Sequence, residues 1–263
     1  MYRAIVHVVA LLFVVAVSSA STMAHSASLS VDGTHFLFKT DDGKTLRGAE
    51  LVGAELDVGD GSTMRIDAVR VDPVEPTGEI LLYRISVRMT DGAWQNACHA
   101  AADETREMFP IPGRWDAEGR YRADADHFAL SCTSGAQAKC VRFGYKPWQS
   151  ASDGTALAPL YESCVHMVRA DYCGDGVPAT RNGTLIDIFD DHGIQKSESD
   201  TKLSFEAGWS PTGAVCVART RVADELDLAA LVKRCPRLRD AVGKRCDKQQ
   251  SKALGALVFN LSR

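Results

Sequence analysis

The sequence predicts a β-rich α+β fold in which an antiparallel β segment (residues 28–93) is followed by a disulfide-rich α+β domain (residues 94–263). Short apolar runs separated by Asp-Gly turns indicate β-structure in the first segment. All eight cysteines lie beyond residue 90, and two segments with helical spacing of apolar residues also lie in the later part. These observations divide the chain near residue 93.

The composition excludes several classes of protein. The 263 residues are 45% hydrophobic and 24% charged, with a formal net charge of −4. A disordered chain would be less apolar and more strongly charged. A nucleic-acid-binding protein would carry a basic stripe that neutralises phosphates. We therefore expect a folded protein with no nucleic-acid partner.

The N-terminal residues 1–24 have the pattern of a signal peptide. Arg3 is the only charged residue before residue 28, and residues 8–17 are all apolar. Small residues permit cleavage after Ala20 or Ala24. The apolar run is about half of the roughly 20 residues that span a membrane, so an uncleaved anchor is the less favoured alternative. We expect a periplasmic or secreted protein with no membrane span in the mature chain.

The cysteines agree with an exported protein. An even number in an exported chain predicts up to four disulfides, which can be paired in 105 ways. Zinc is disfavoured because no Cys-x-x-Cys pair occurs, and a free catalytic thiol is disfavoured because exported thiols become oxidised. The eight predicted disulfide cysteines are Cys98, Cys132, Cys140, Cys164, Cys173, Cys216, Cys235 and Cys246.

Predicted elements follow from turn signals and apolar periodicity. Strands are predicted at residues 35–38, 49–52 and 81–87, with turns at Asp-Gly pairs 32–33, 42–43, 60–61 and 91–92. Arg84, Ser86 and Arg88 should face solvent. Helices are predicted at residues 155–171 and 224–235, and further strands at residues 183–189, 214–220 and 254–259. If the first helix reaches Cys173, Cys164 and Cys173 lie too far apart to pair with each other.

Residues 167–176 (MVRADYCGDG) contain the tetrapeptide Ala-Asp-Tyr-Cys, and the motifs KCVRFGYKPW, GTLID, FEAGW and GAVCV accompany it. These stretches resemble the ADYC domain family over roughly residues 90–263. The resemblance implies a bacterial, exported or envelope-associated protein with a Cys-rich domain. It implies no catalytic residue, because the family has no assigned activity.

Clustered carboxylates are the first candidate site. Asp171, Asp175 and Asp187 are candidate ligands or acids, and Ca²⁺ is the one cofactor considered because it takes six to eight oxygen ligands. The spacing does not match an EF-hand loop, so turn formation is the favoured role. Asp187 lies within a strand, where we expect a salt bridge from Arg169 or Arg181.

Other candidate groups are weaker. An acyl-transfer site built from Ser163, His166 and Asp171 is not expected, because the three do not converge on one helix face and no Gly-x-Ser-x-Gly elbow occurs. Tyr145 and Trp148 are candidate binding aromatics, with core packing the favoured alternative.

These observations predict an exported, disulfide-stabilised module without catalytic activity that binds an unknown protein or glycan in the cell envelope or outside the cell. The alternative is an Asp-dependent hydrolase or calcium-binding enzyme that uses Asp171, Asp175 and Asp187. A purely structural protein is the third possibility. Convergence of these carboxylates with His166 in one open cleft would favour the enzyme, and their dispersal would favour the module.

Overall fold

A computed structural model describes residues 27–57, 62–116, 120–198 and 202–263. The predicted signal peptide and the predicted turn at residues 60–61 lie outside these ranges. Strand residues outnumber helical residues, so the predicted β-rich α+β class is confirmed. None of the helices in the described ranges has the length and apolar character needed to cross a membrane.

The first described residues form a three-stranded antiparallel sheet of β1 (Ser28–Asp32), β2 (His35–Lys39) and β3 (Thr45–Arg47). The predicted Asp-Gly turns connect these strands. The expected strand at residues 49–52 is wrong, because Gly48–Leu51 is a 3₁₀ helix. Gly48 there has φ of 53°, and Glu50 accepts the Arg47 N–H, so the chain turns and buries Leu51.

A second antiparallel sheet has the order β11-β8-β6-β5-β4, with β7 paired to part of β6. Its strands come from both sides of residue 93, which was the predicted domain boundary. Arg84 and Arg88 are exposed as expected, but Ser86 is buried and its hydroxyl donates to Asp67. The strands are β4 (Glu55–Asp57), β5 (Thr63–Val71), β6 (Leu81–Arg88), β7 (Trp94–Asn96), β8 (Met108–Pro112) and β11 (Phe128–Cys132). The short hairpin of β9 (Arg114–Trp115) and β10 (Tyr121–Arg122) lies between β8 and β11 in the sequence.

The remaining residues place two helices beside a four-stranded sheet with the order β12-β15-β13-β14. Helix α2 packs against β13 and β15 through its buried face, and α1 packs against α2. The predicted helices are present but shorter than expected. The elements are α1 (Ala136–Arg142), α2 (Ala158–Arg169), β12 (Ile186–Asp190), β13 (Ser204–Ser210), β14 (Gly213–Val217), α3 (Leu228–Arg234), α4 (Lys248–Ala253) and β15 (Val258–Ser262), with 3₁₀ helices at Pro236–Leu238 and Gly243–Arg245.

All eight cysteines are paired, which confirms the predicted disulfides. The pairs are Cys98–Cys132, Cys140–Cys164, Cys173–Cys235 and Cys216–Cys246. Cys164 and Cys173 have different partners, but α2 ends at Arg169, so the condition under which their spacing excluded a direct bond is not met. Four disulfides are typical of a protein that functions outside the cytoplasm.

Candidate functional site

The tetrapeptide Ala170-Asp171-Tyr172-Cys173 begins where α2 ends. Ala170 has φ of 50°, a left-handed conformation that reverses the chain after the last helical turn. The buried Asp171 carboxylate then accepts the backbone N–H groups of Gly174, Asp175 and Gly176 at 2.8–3.1 Å. Asp171 therefore holds the loop in place.

Tyr172 connects this loop to the protein core. Its hydroxyl donates to Glu206 at 3.0 Å and accepts the Arg221 N–H at 2.7 Å, while its ring stacks on Trp209. Glu206 and Arg221 are fully buried and form a bidentate pair, with both N–O distances 3.0 Å. Asn260 donates a further hydrogen bond to Glu206. A buried ion pair needs such added hydrogen bonds to offset the loss of its hydration.

The tetrapeptide ends in a covalent and steric constraint. Cys173 is bonded to Cys235 beyond the end of α3, and the next residue, Gly174, lies against the backbone of Thr212. A Cβ atom at Gly174 would come within 2.1 Å of the Thr212 carbonyl oxygen. Each residue from Asp171 to Gly174 thus has a contact within the protein that accounts for its identity.

The three candidate carboxylates do not converge. Asp175 is exposed and forms an ion pair with Arg234 at 2.7 Å. The expected salt bridge of Asp187 with Arg169 or Arg181 is wrong, because Asp187 accepts the Ser197 hydroxyl and the Glu198 N–H. Arg169 and Arg181 are engaged elsewhere, with the Gly176 carbonyl and with Glu225. In the described ranges, no group of three or more His, Cys, Asp or Glu side chains is arranged to hold a metal ion.

His166 and Asp171 do meet, although Ser163 does not join them. The His166 Nδ1 atom lies 3.0 Å from Asp171 Oδ2, and its Nε2 lies 3.2 Å from the Pro211 carbonyl oxygen. Both facing atoms are acceptors, so only the doubly protonated ring donates both bonds. Ser163 instead donates to the Pro159 carbonyl. A ring with both nitrogens engaged has none free to activate a nucleophile.

Burial and hydrogen bonding have opposite effects on the pKa of the Asp171 carboxyl. Burial alone would raise the pKa of this carboxyl, but the hydrogen bond and charge of His166 and the backbone N–H groups outweigh it. The pKa of Asp171 is therefore lowered from its ordinary value. This keeps the carboxylate ionised and holds the loop at neutral pH.

The two candidate aromatics lie in different environments. Tyr145 is fully buried, and its hydroxyl donates to Asp190 at 2.8 Å, so it belongs to the core. Burial followed by the Asp190 charge raises the pKa of Tyr145. Trp148 is half-buried beside Gly33 in a small depression. Neither aromatic lies in the cleft described next.

The exposed side of α2 borders a cleft of about 250 Å³, which we call the α2 cleft. Tyr161, Glu162 and His166 line it from the helix, while Trp115 and Arg120 line it from the β9–β10 hairpin. The Tyr161 hydroxyl is buried and has no hydrogen-bond partner among the described residues. Such an unsatisfied buried hydroxyl requires an explanation, and a bound group is one.

Glu162 has an unusual environment for a carboxyl group. It accepts the Tyr121 N–H at 2.7 Å, and within the described part of the chain it forms no ion pair. Burial raises the pKa of Glu162 because the backbone hydrogen bond and the charges of Arg122 and His166 do not offset the loss of hydration. A carboxyl with a raised pKa in a cleft is a candidate functional group.

This cleft was not among the sites predicted from the sequence. Glu162 and His166 are four residues apart, the spacing that places two side chains on one helix face, and this signal was available. The approach of Trp115 and Arg120 was not predictable, because it depends on how the β9–β10 hairpin folds over α2. From the sequence, His166 was considered with Ser163 and the candidate aspartates, but not with Glu162.

A sequence model of the ADYC domain matches residues 48–223, about two thirds of the chain. The chain belongs to the ADYC domain family. The match begins earlier than the expected residue 90 and includes the second sheet, α2, the Asp171 loop and the α2 cleft. It ends before α3, so Cys235 and Cys246 lie beyond it. A search of curated proteins and a search of solved structures each found no match.

Proposed function

We propose that this ADYC domain protein is an exported, non-catalytic module that binds one sugar ring of a glycan in its α2 cleft. The observation that carries the proposal is the combination of Glu162, which has no ion-pair partner in the described residues, with the half-buried Trp115 in one small cleft. The glycan is chosen over a protein partner because of the size and lining of the cleft.

Export is supported by two independent features. Four disulfides hold the described residues together, and such a number is typical of an oxidising compartment. The first 24 residues have the charge and apolar pattern of a signal peptide. We therefore propose a periplasmic or secreted location, with the leader removed from the mature protein.

The chemistry of the cleft supports a sugar. Tryptophan has a large flat face on which an apolar ring surface can lie, and carboxyl and guanidinium groups accept from and donate to hydroxyls. Glu162 and Arg120 supply these polar groups beside Trp115. A volume of about 250 Å³ is below the roughly 300–1,000 Å³ of most ligand pockets, so the occupant should be small.

A non-catalytic role is supported by the contacts of the groups that a hydrolase would need. Asp171 accepts four hydrogen bonds, and both nitrogens of His166 face acceptors. Ser163 is buried and bonded to a main-chain carbonyl. Each group contributes to the fold, and none is poised to attack a substrate.

Binding should be measured by saturation-transfer NMR with a panel of neutral hexoses, amino sugars and hexuronic acids. We expect signal from at least one sugar with the wild type and its loss in Trp115→Ala. Trp148→Ala is the matched control, because it removes a half-buried tryptophan outside the cleft. No signal from any sugar, or equal loss in both variants, would contradict the proposal.

A second function, glycoside hydrolysis, is favoured by one observation. The raised pKa of Glu162 is the property of a general acid that protonates a leaving group. Aryl glycosides that release a coloured phenol test this directly. Release by the wild type and its loss in Glu162→Gln would establish the enzyme, whereas sugar binding without release supports the module.

Calcium remains a separate question, and we propose that the protein needs none. Asp171, Asp175 and Asp187 bind different partners, so they do not form a shared oxygen cage. Thermal melting with calcium chloride and with chelator should give the same midpoint. A higher midpoint in calcium would contradict this part of the proposal.

A further inference from the structure

A second cavity lies at the C-terminal end of α2 and has a different character. It has a volume of about 500 Å³ and is bordered by α1, the C-terminal end of α2 and residues 178–186. We call it the cationic groove and define it by Lys139, Arg169, Arg181 and Arg221, with Phe143 and Leu185 among its apolar residues. It shares no lining residue with the α2 cleft.

All the charged residues that line the groove are cations. Four positively charged side chains border the groove, and the described residues that line it include no Asp or Glu. Two of the four charges are matched by a carboxylate, because Arg221 pairs with Glu206 and Arg181 pairs with Glu225. Lys139 and Arg169 form no ion pair with a described carboxylate, so the groove has an excess of positive charge.

Lys139 is the group that most clearly lacks a partner. Its ammonium has no hydrogen bond or ion pair among the described residues, although the side chain is partly buried. Burial lowers the pKa of Lys139, and the Arg142 charge lowers it further. Asp103 opposes the shift, but this carboxylate is bonded to Arg142 at 2.8 Å. A partly buried cation without a partner is costly, and an anion bound in the groove would offset that cost.

The apolar side of the groove specifies the rest of the ligand. Leu185 is 53% exposed at its border, and Phe143 and Val168 line it beside the cations. A small hydrated anion would leave these side chains in contact with water. A ligand with a charged end and an apolar body would bury them, and the burial of apolar surface would favour its binding.

We propose that the cationic groove binds an alkyl carboxylate of the fatty-acid class, with its carboxylate on Lys139 and Arg169 and its chain along Phe143 and Leu185. A volume of about 500 Å³ lies within the usual range for small-molecule sites. This site does not depend on sugar binding in the α2 cleft, and either proposal can fail without the other.

The test uses decanoate below its micellar concentration, with calorimetric titration into the full mature protein. We expect saturable binding by the wild type and about tenfold weaker binding by Lys139→Met, which keeps a long apolar side chain but removes the charge. Lys233→Met is the matched control, because Lys233 is an exposed lysine on α3 away from the groove. Equal affinity of wild type and Lys139→Met would overturn the proposal.

Two further measurements separate the head from the tail. Decanol has the same chain without charge and should bind at least about tenfold more weakly than decanoate. Leu185→Ser changes an exposed residue that the fold does not need, so it should fold normally and bind decanoate several-fold more weakly. Decanol as tight as decanoate, or acetate as tight as decanoate, would overturn the proposal.

Discussion

Asp171 shows how one side chain can account for a motif. Its carboxylate accepts three backbone N–H groups and the His166 ring, so the loop after α2 is held by a single charged group. Sequence reasoning assigned turn formation as the favoured role of Asp171 but did not place His166 beside it. The contact depends on the left-handed Ala170, which turns the chain back toward the helix.

Asp171→Asn should destabilise the protein by about 2 kcal/mol, because hydrogen bonds to a buried charged acceptor are stronger than those to an amide. Urea unfolding at pH 7 measures the change. Asp175→Asn is the matched control and should cost less than about 1 kcal/mol, because the Arg234 pair is largely exposed. Equal losses in the two variants would contradict this role.

The contribution of Asp171 should also depend on pH. Its folded-state pKa lies below the ordinary value of 3.8, so its stabilising effect is complete above about pH 4. The effect is lost as pH falls through the lowered pKa. The difference in stability between wild type and Asp171→Asn should therefore shrink in acid, and a difference that grows as pH falls would refute the assignment.

The pKa of Glu162 is shifted in the opposite direction to that of Asp171. Its folded-state pKa is above the ordinary value of 4.5, so deprotonation destabilises the folded protein as pH rises through that window. At pH 7, Glu162→Gln should therefore be more stable than wild type by roughly 0.5–2 kcal/mol. Its melting temperature should be correspondingly higher. This gain in stability should vanish at pH 4. A Glu162→Gln variant that is less stable than wild type at pH 7 would contradict a raised pKa of Glu162.

At the scale of elements, α2 is the part that organises the molecule. One face packs on β13 and β15, its middle turns border the α2 cleft, and its C-terminal end borders the cationic groove and the Asp171 loop. Apolar spacing predicted this helix, because its buried residues recur with a helical period. The strand predicted at residues 49–52 is wrong, because a run of only four residues contains too little periodicity to distinguish a strand from a turn.

The close approach of the Asp171 loop to residues 212–213 can be tested with a pair of glycines. Gly174→Ala should cost about 3 kcal/mol or more, because its Cβ would meet the Thr212 backbone. Gly176 also has a positive φ but faces open space, so Gly176→Ala should cost only about 1 kcal/mol. Denaturant unfolding compares the two, and similar costs would show that the contact is absent.

At the scale of the whole molecule, the sequence predicted the fold class and the presence of disulfides, but not the disulfide pairing or the arrangement of the strands in the second sheet. Eight cysteines in a chain with a leader predicted four bridges, yet local spacing cannot choose among 105 pairings. The boundary near residue 93 followed a change in composition. The second sheet nevertheless joins strands from both sides of it, because β8 pairs with β6 and β11 pairs with β8.

The bridges should differ in their effect on stability according to the loop that each closes. Cys173–Cys235 joins residues 62 apart, the largest separation of the four, and its removal should cost about 4 kcal/mol. Guanidinium unfolding of the double alanine variant measures this loss. It is a large part of the roughly 5–15 kcal/mol typical of a folded protein, and a loss below about 1 kcal/mol would contradict the proposed role of the bridge.

The most direct test of the whole account is peptide mapping of the protein from its native compartment, digested without reduction. We predict four cross-linked peptides that join Cys98 to Cys132, Cys140 to Cys164, Cys173 to Cys235 and Cys216 to Cys246. We also predict no peptide from residues 1–20, because both candidate cleavage sites remove them. Free thiols, other partners for Cys173, or an intact leader would contradict it.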